Sequence, residues 1–190
     1  MTRYESLLLN NGNVSPEDYV TCSGINENHE AYFGAVAPPI IQTSLFVQAN
    51  YQQYCDDMQQ ETRRYIYSRG LNPTVQMAEE RLARLEGGES ARCFASGMGA
   101  ISAVIIGHLN HGDHILLVNQ VYGPAVELVK ALAHKYGIQF DVVPDGDVAL
   151  IAQKIKPNTR MIYTESPGTM TMKVVDLRAI ASLASHHGII

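Results

Sequence analysis

Ala95-Ser96-Gly97-Met98-Gly99-Ala100 stands between a short strand candidate, Ala91–Ala95, and an apolar helical stretch running from Met98 to Leu109. A strand that turns through two glycines into a helix is the opening of a βαβ unit. The glycines let the backbone turn tightly, and the free N–H groups of the helix start converge with the positive end of its dipole. The segment therefore reads in two ways: as a tight strand-to-helix turn, or as a cradle for a phosphate.

Outward from that segment the alternation repeats. Toward the N-terminus, Thr74 caps a predicted helix from Val75 to Leu85, ended by Gly87-Gly88. Toward the C-terminus come a strand at His114–Val118, a helix at Ala125–Tyr136 ended by Gly137, and a strand at Ile138–Val143. A turn at Pro144-Asp145-Gly146 precedes a helix at Val148–Ile155, a strand at Met161–Glu165 and a helix at Leu177–His187. Met98–Leu109 is apolar nearly throughout, which predicts burial on most sides. Ile189 and Ile190 read as the first residues of another buried strand, so the sequence is expected to break off inside a βαβ repeat, leaving an apolar stub and an unfinished sheet edge. The predicted class is α/β with a mostly parallel sheet.

Residues 1–71 differ. They are polar, hold a Pro38-Pro39 pair and show little periodicity, with Gln52–Arg64 as their one polar helix candidate. They are expected to form an extended N-terminal arm that finds its burial on a neighbouring domain or subunit, with residues 72–190 as the first part of the α/β domain.

Composition excludes several functions. With 14 Lys and Arg against 19 Asp and Glu the formal charge is −5, and no basic run exceeds Arg63-Arg64. Nucleic acid and anionic membrane surfaces are poor partners for such a chain. No apolar stretch is long enough for a membrane span or a secretory signal. The three cysteines, Cys22, Cys55 and Cys93, form no CxxC pair, which fits a reducing cytoplasm. Cys93 in a strand reads as a small buried apolar residue. His108, His111 and His114 are spaced by three but straddle a helix–turn–strand junction, so no metal site is expected.

A nicotinamide reading of Gly97 and Gly99 fails, because the third glycine position is Ser102 and the acidic position about twenty residues on is Asn119-Gln120. Two other pieces could carry chemistry. In Tyr67-Ser68-Arg69-Gly70-Leu71-Asn72-Pro73-Thr74, an Arg beside a Tyr can donate to a phosphate dianion, or Arg69 is a solvated loop residue. Tyr122, in Val121-Tyr122-Gly123-Pro124, follows a strand where a parallel sheet presents ligands. Its ring can stack on a flat group and its hydroxyl can give a proton, or it merely caps the core.

Taken in order, Tyr67-Ser68-Arg69, Asn72-Pro73-Thr74, Leu85-Glu86-Gly87-Gly88-Glu89, Ala95-Ser96-Gly97-Met98-Gly99-Ala100, Gly112-Asp113-His114, Val121-Tyr122-Gly123 and Glu165-Ser166-Pro167-Gly168 resemble the Cys/Met-metabolism enzymes dependent on pyridoxal phosphate. That family includes cystathionine β-lyase, cystathionine γ-lyase, cystathionine γ-synthase and methionine γ-lyase, and the resemblance runs from Ala37 to Ile190. It implies the large domain of the aspartate aminotransferase-like fold, pyridoxal 5′-phosphate as cofactor, and a homo-oligomer, a dimer of dimers. Substrates implied are small sulfur amino acids or relatives: cystathionine, cysteine, methionine or a homoserine ester. Gly97 and Met98 would give backbone N–H groups to the cofactor phosphate. Tyr67 and Arg69 would reach the phosphate in the neighbouring subunit's site. Tyr122 would stack on the pyridine ring and act as candidate acid for the leaving thiol.

The family's Asp at the ring nitrogen, its lysine bound to the cofactor and its substrate-binding Arg have no counterpart in these 190 residues, and Lys130, Lys135, Lys154, Lys156 and Lys173 lie in the wrong contexts to replace that lysine. The chain by itself is expected to be inactive. Many γ-type members carry Asn-Pro where Thr169-Met170 stand, and Ser-Pro-Gly followed by a hydroxyl residue and Thr-Met resembles bacterial cystathionine β-lyases. A reading of a different class is a non-catalytic truncated paralogue that binds full-length subunits through its arm.

Overall fold

The computed structural model describes residues 29–190. Cys22 and the first 28 residues of the expected arm lie outside them. By backbone proximity the chain divides into two compact units, Met1–Cys93 and Phe94–Ile190.

In the first unit, helix α1 (Tyr51–Met58) is capped by Asn50, whose side chain accepts the Gln53 N–H. It is shorter than the Gln52–Arg64 candidate, because the chain turns back after it and buries Ile66 in an antiparallel bridge between Leu45 and Tyr67. Helix α2 (Pro73–Leu85) starts two residues earlier than expected. Asn72, and not Thr74, is its N-cap, with Pro73 in the first position that proline favours. The Thr74 hydroxyl is engaged elsewhere, accepting the Ile41 N–H at 2.9 Å. Among the described apolar side chains of this unit only Ile66 and Ala83 are buried, while Phe33, Val36 and Val47 are almost wholly exposed.

The predicted strand at Ala91–Ala95 does not form. A strand needs a neighbour to satisfy its backbone; here the Cys93 N–H donates instead to Glu79 Oε1 at 2.9 Å, and Arg92 donates to Glu79 Oε2 at 3.0 Å. Cys93 is exposed, contrary to its expected burial.

The second unit is an α/β layer. Helix α3 (Gly97–His108) leads to β1 (His114–Val118), α4 (Gly123–Tyr136), β2 (Gln139–Val143), α5 (Val148–Lys154), β3 (Thr159–Thr164) and α6 (Leu177–His186). All pairings are parallel, in the order β2-β1-β3. The end of the chain continues this sheet: Ile190 N–H donates to Arg160 O at 3.0 Å, and Ile162 N–H donates to Ile190 O at 2.8 Å.

The central strand reads HILLV and is buried on both faces because side chains alternate across a strand. Ile115 and Leu117 join Ile105 and Leu109 on the α3 side and Val129 and Leu132 of α4. Leu116 and Val118 face the other way, against Ile151 of α5 and Ile180 of α6. Each such side chain contributes about 1.5–3 kcal/mol on burial. Helix α3 is not buried on most sides as its composition suggests: Ile105 is fully buried, but Val104 and Ile106 are exposed, since only one face meets the sheet. No described helix is long and apolar enough to cross a membrane.

Candidate functional site

Helix α4 leaves β1 on one face of the sheet, and α6 follows β3 on the other. The neighbouring carboxyl ends of β1 and β3 therefore form a topological switch point, where open α/β sheets take their ligands. Tyr122 follows β1 there, and the loop 165–176 follows β3.

That loop is tied to the end of β1. Asn119, buried and in the left-handed region at φ 66°, donates through Nδ2 to Glu165 O at 2.9 Å and Lys173 O at 3.1 Å. Asn tolerates this conformation better than most residues. Thr169 N–H donates to Gln120 O at 2.6 Å. The Glu165 carboxylate accepts from Tyr122 N–H, the Tyr163 hydroxyl and the Thr169 hydroxyl. Burial, followed by the Glu165 partner, pushes the Tyr163 phenol well above its ordinary range, so it stays a donor. The Tyr122 side chain remains partly exposed above its tethered backbone.

Sequence reasoning used Asn119 only to argue against a nicotinamide site and passed over Tyr163 and the Glu165 carboxylate. The available signal was an Asn directly after the apolar run Ile115–Val118, a position suited to a left-handed turn.

At the start of α3, Ser96 accepts the Gly99 N–H on its hydroxyl at 3.0 Å. Gly97 and Met98, the first two helical residues, have no acceptor within the helix for their N–H groups. A Cβ placed on Gly97 would meet nothing within 4 Å, so the space beside this residue is open. Two free amides, a capped third and the positive end of the helix fit a phosphate dianion. At the switch point, the buried Asn119 Oδ1 and Thr164 Oγ1 have no protein partner among the described residues. The residues present thus fit a phosphorylated, polar cofactor.

In the first unit, Arg69 lies 4.6 Å from the centroid of the Tyr67 ring and pairs with Glu61 Oε1 at 2.8 Å. Both residues are exposed. Their backbone is fixed by Ser68, whose N–H donates to Ser44 O and whose hydroxyl donates to Thr43 O. The three spaced histidines go separate ways: His108 Nδ1 donates to Val104 O, His111 Nδ1 donates to Tyr136 O, and His114 is buried against Thr159.

The chain is similar to several known proteins. The chain is 35% identical over 162 residues to cystathionine β-lyase MetC of Staphylococcus haemolyticus, covering 85% of this chain and 39% of that protein. It is 36% identical over 158 residues to L-methionine γ-lyase of Porphyromonas gingivalis, covering 83% and 40%. The chain thus spans about two fifths of the length of the curated relatives it matches. Among solved structures, a putative O-acetylhomoserine (thiol)-lyase of Campylobacter jejuni, containing N′-pyridoxyl-lysine-5′-monophosphate, superposes with a TM-score of 0.81 at 27% identity, covering 94% of this chain and 43% of that one. The family model described as Cys/Met metabolism PLP-dependent enzyme matches residues 21–190, and the chain belongs to that pyridoxal-phosphate-dependent family.

Proposed function

We propose that this chain supplies the phosphate-binding end of an active site that cleaves carbon–sulfur bonds by β-elimination, in the manner of a cystathionine β-lyase. The observation that carries the subclass is the loop after β3. Where many γ-type members carry Asn-Pro, Thr169-Met170 stand, and the Thr169 hydroxyl is donated inward to Glu165 at 2.8 Å. The similarity to a cystathionine β-lyase is matched by that to a methionine γ-lyase, so the loop alone favours the β-type.

Gly97 and Met98 donate their N–H groups to the cofactor phosphate, and Ser96 holds the helix start in place by capping Gly99. Tyr122 stacks against the pyridine ring and gives its phenol proton to the departing thiolate. When bound, pyridoxal phosphate supplies the electron sink for loss of the substrate's Cα proton. Tyr67 and Arg69, held side by side on the arm, serve the phosphate of the neighbouring subunit in a homo-oligomer. The exposed Phe33, Val36 and Val47 support residues 1–71 acting as such an arm, followed in sequence by a cofactor domain from residue 72. Among the five lysines from Lys130 onward, Lys130 pairs with Glu127, Lys156 with Asp141 and Lys173 with Asp145, and none of the five stands in the sequence context of the family's cofactor-binding lysine. The 190 residues alone are therefore inactive.

The test is to express the complete reading frame, load it with pyridoxal phosphate and supply cystathionine. Pyruvate, ammonia and homocysteine are the expected products. Cysteine and 2-oxobutyrate in their place would overturn β-elimination, and turnover by the 190-residue chain alone would overturn its inactivity.

A further inference from the structure

One carboxylate joins the two loops of the switch point. Glu165 Oε1 accepts from Tyr122 N–H at 3.0 Å and from the Tyr163 hydroxyl at 3.0 Å, and Oε2 accepts from the Thr169 hydroxyl at 2.8 Å. Tyr163 and Thr169 belong to Glu165's own strand and loop, whereas Tyr122 lies 43 residues earlier, after β1. Tyr122 is the N-cap of α4 and makes no side-chain cap, and Pro124 in the first turn has no N–H to offer. An anion from another element therefore sits at the positive start of α4, where a carboxylate is favourable.

We infer that Glu165 is a positioning residue for Tyr122: its carboxylate fixes the backbone from which the Tyr122 ring is presented and so sets the ring's orientation in the site. This rests on the reading of Tyr122 as the residue that meets the cofactor ring. Glu165 itself touches neither substrate nor cofactor in this role. Its three donors leave it little freedom to turn, and Asn119 holds its backbone carbonyl at 2.9 Å. The role needs accepting oxygens at these positions more than it needs charge. A glutamine can still accept from Tyr122 and Tyr163 on its oxygen and donate its amide to the Thr169 hydroxyl.

The experiment compares Glu165→Ala, Glu165→Gln, Tyr122→Ala and the double variant Glu165→Ala/Tyr122→Ala in the complete reading frame, expressed and loaded with pyridoxal phosphate. Amide exchange over residues 119–123 reports the tether, and visible circular dichroism of the bound cofactor reports the ring's surroundings. Glu165→Ala is expected to speed exchange at the Tyr122 N–H by roughly tenfold, the scale of one charge-assisted hydrogen bond. It should also weaken the cofactor's dichroism. Glu165→Gln should restore both, and the double variant should show no more dichroism loss than Tyr122→Ala. Wild-type dichroism in Glu165→Ala, with loss in Tyr122→Ala, overturns the inference and leaves the role of Tyr122 standing. Wild-type dichroism in Tyr122→Ala removes that role, and the inference falls with it. If Glu165→Ala does not fold, Glu165→Asp keeps the charge and withdraws it by one methylene. Wild-type exchange and dichroism in that variant would equally overturn the inference.

Discussion

Gly168 lies so close to Asn119 that a Cβ added at position 168 would stand 2.6 Å from Asn119 Nδ2 and 3.0 Å from its Cγ. Asn119 cannot swing aside, because it is buried and its amide already donates to Glu165 O and Lys173 O. Gly168→Ala is therefore expected to destabilise the protein by about 1–3 kcal/mol, the usual cost of overpacking a filled site. Urea unfolding checks this. Adding Asn119→Gly, which frees the space, should cost less than the sum of the two single changes. Strict additivity would show that the two residues do not meet.

The first unit offers a test at Glu79, whose carboxylate is buried and accepts from the Cys93 N–H and Arg92. Arg92 is mostly exposed, so its ion pair contributes little. The backbone bond carries the effect, and Glu79→Ala should cost about 1–2 kcal/mol. Cys93 itself is exposed and Cys55 only partly so. In the native protein, peptide mass spectrometry after brief alkylation should find Cys93 labelled ahead of Cys55. Protection of Cys93 would indicate that residues 91–95 are covered after all.

These two sites show what the sequence makes legible. The strand His114–Val118 could be read because five consecutive residues are buried on both faces, and α4 because its proline start and glycine end are local signals. The start of α3 was legible for the same reason, Ser96 and the two glycines being adjacent. What stayed hidden depends on partners far along the chain. Residues 91–95 have strand-like composition, but the Cys93 N–H is claimed by Glu79. Thr74 looks like a cap, yet its hydroxyl goes to Ile41 and Asn72 takes the role. The tether through Asn119, Tyr122 and Glu165 spans more than forty residues and leaves no periodic trace.

At the opposite end of β1, His114 is fully buried, with Nδ1 2.8 Å from Thr159 Oγ1 and Nε2 3.3 Å from the Asp141 carboxylate that Lys156 also holds. Burial first, and the Lys156 charge second, keep its pKa below the ordinary 6.5, with Asp141 opposing. The unfolded chain thus takes up a proton near 6.5 that the native protein refuses. The resulting stability is fully present above that pH and is lost as the pH falls from there through the lower native value. Asp141, held below 3.8 first by its hydrogen bond from Lys156, gives up its own contribution only in a separate, more acidic window. Urea unfolding between about pH 5 and pH 8 should show stability falling on acidification, with a shallower slope in His114→Gln. Equal slopes would remove His114 as the cause.

Gly97 allows one donor to be deleted while the helix is kept. It is the first residue of α3, the position proline favours, and Ser96 before it is already extended at φ −157° and ψ 157°, as a residue preceding proline must be. No atom lies within 4 Å of a Cβ at this position. Gly97→Pro should therefore leave unfolding stability within about 0.5 kcal/mol of wild type. The same change removes the Gly97 N–H and puts a ring carbon in its place. Affinity for pyridoxal phosphate should fall by roughly tenfold to a hundredfold, the scale of one hydrogen bond to a charged group. Met98→Ala keeps its N–H and should bind as wild type does. Equilibrium titration of both variants decides between a phosphate cradle and a turn that only shapes the fold. Unchanged affinity in Gly97→Pro would leave the glycine with a purely structural part and move the phosphate elsewhere.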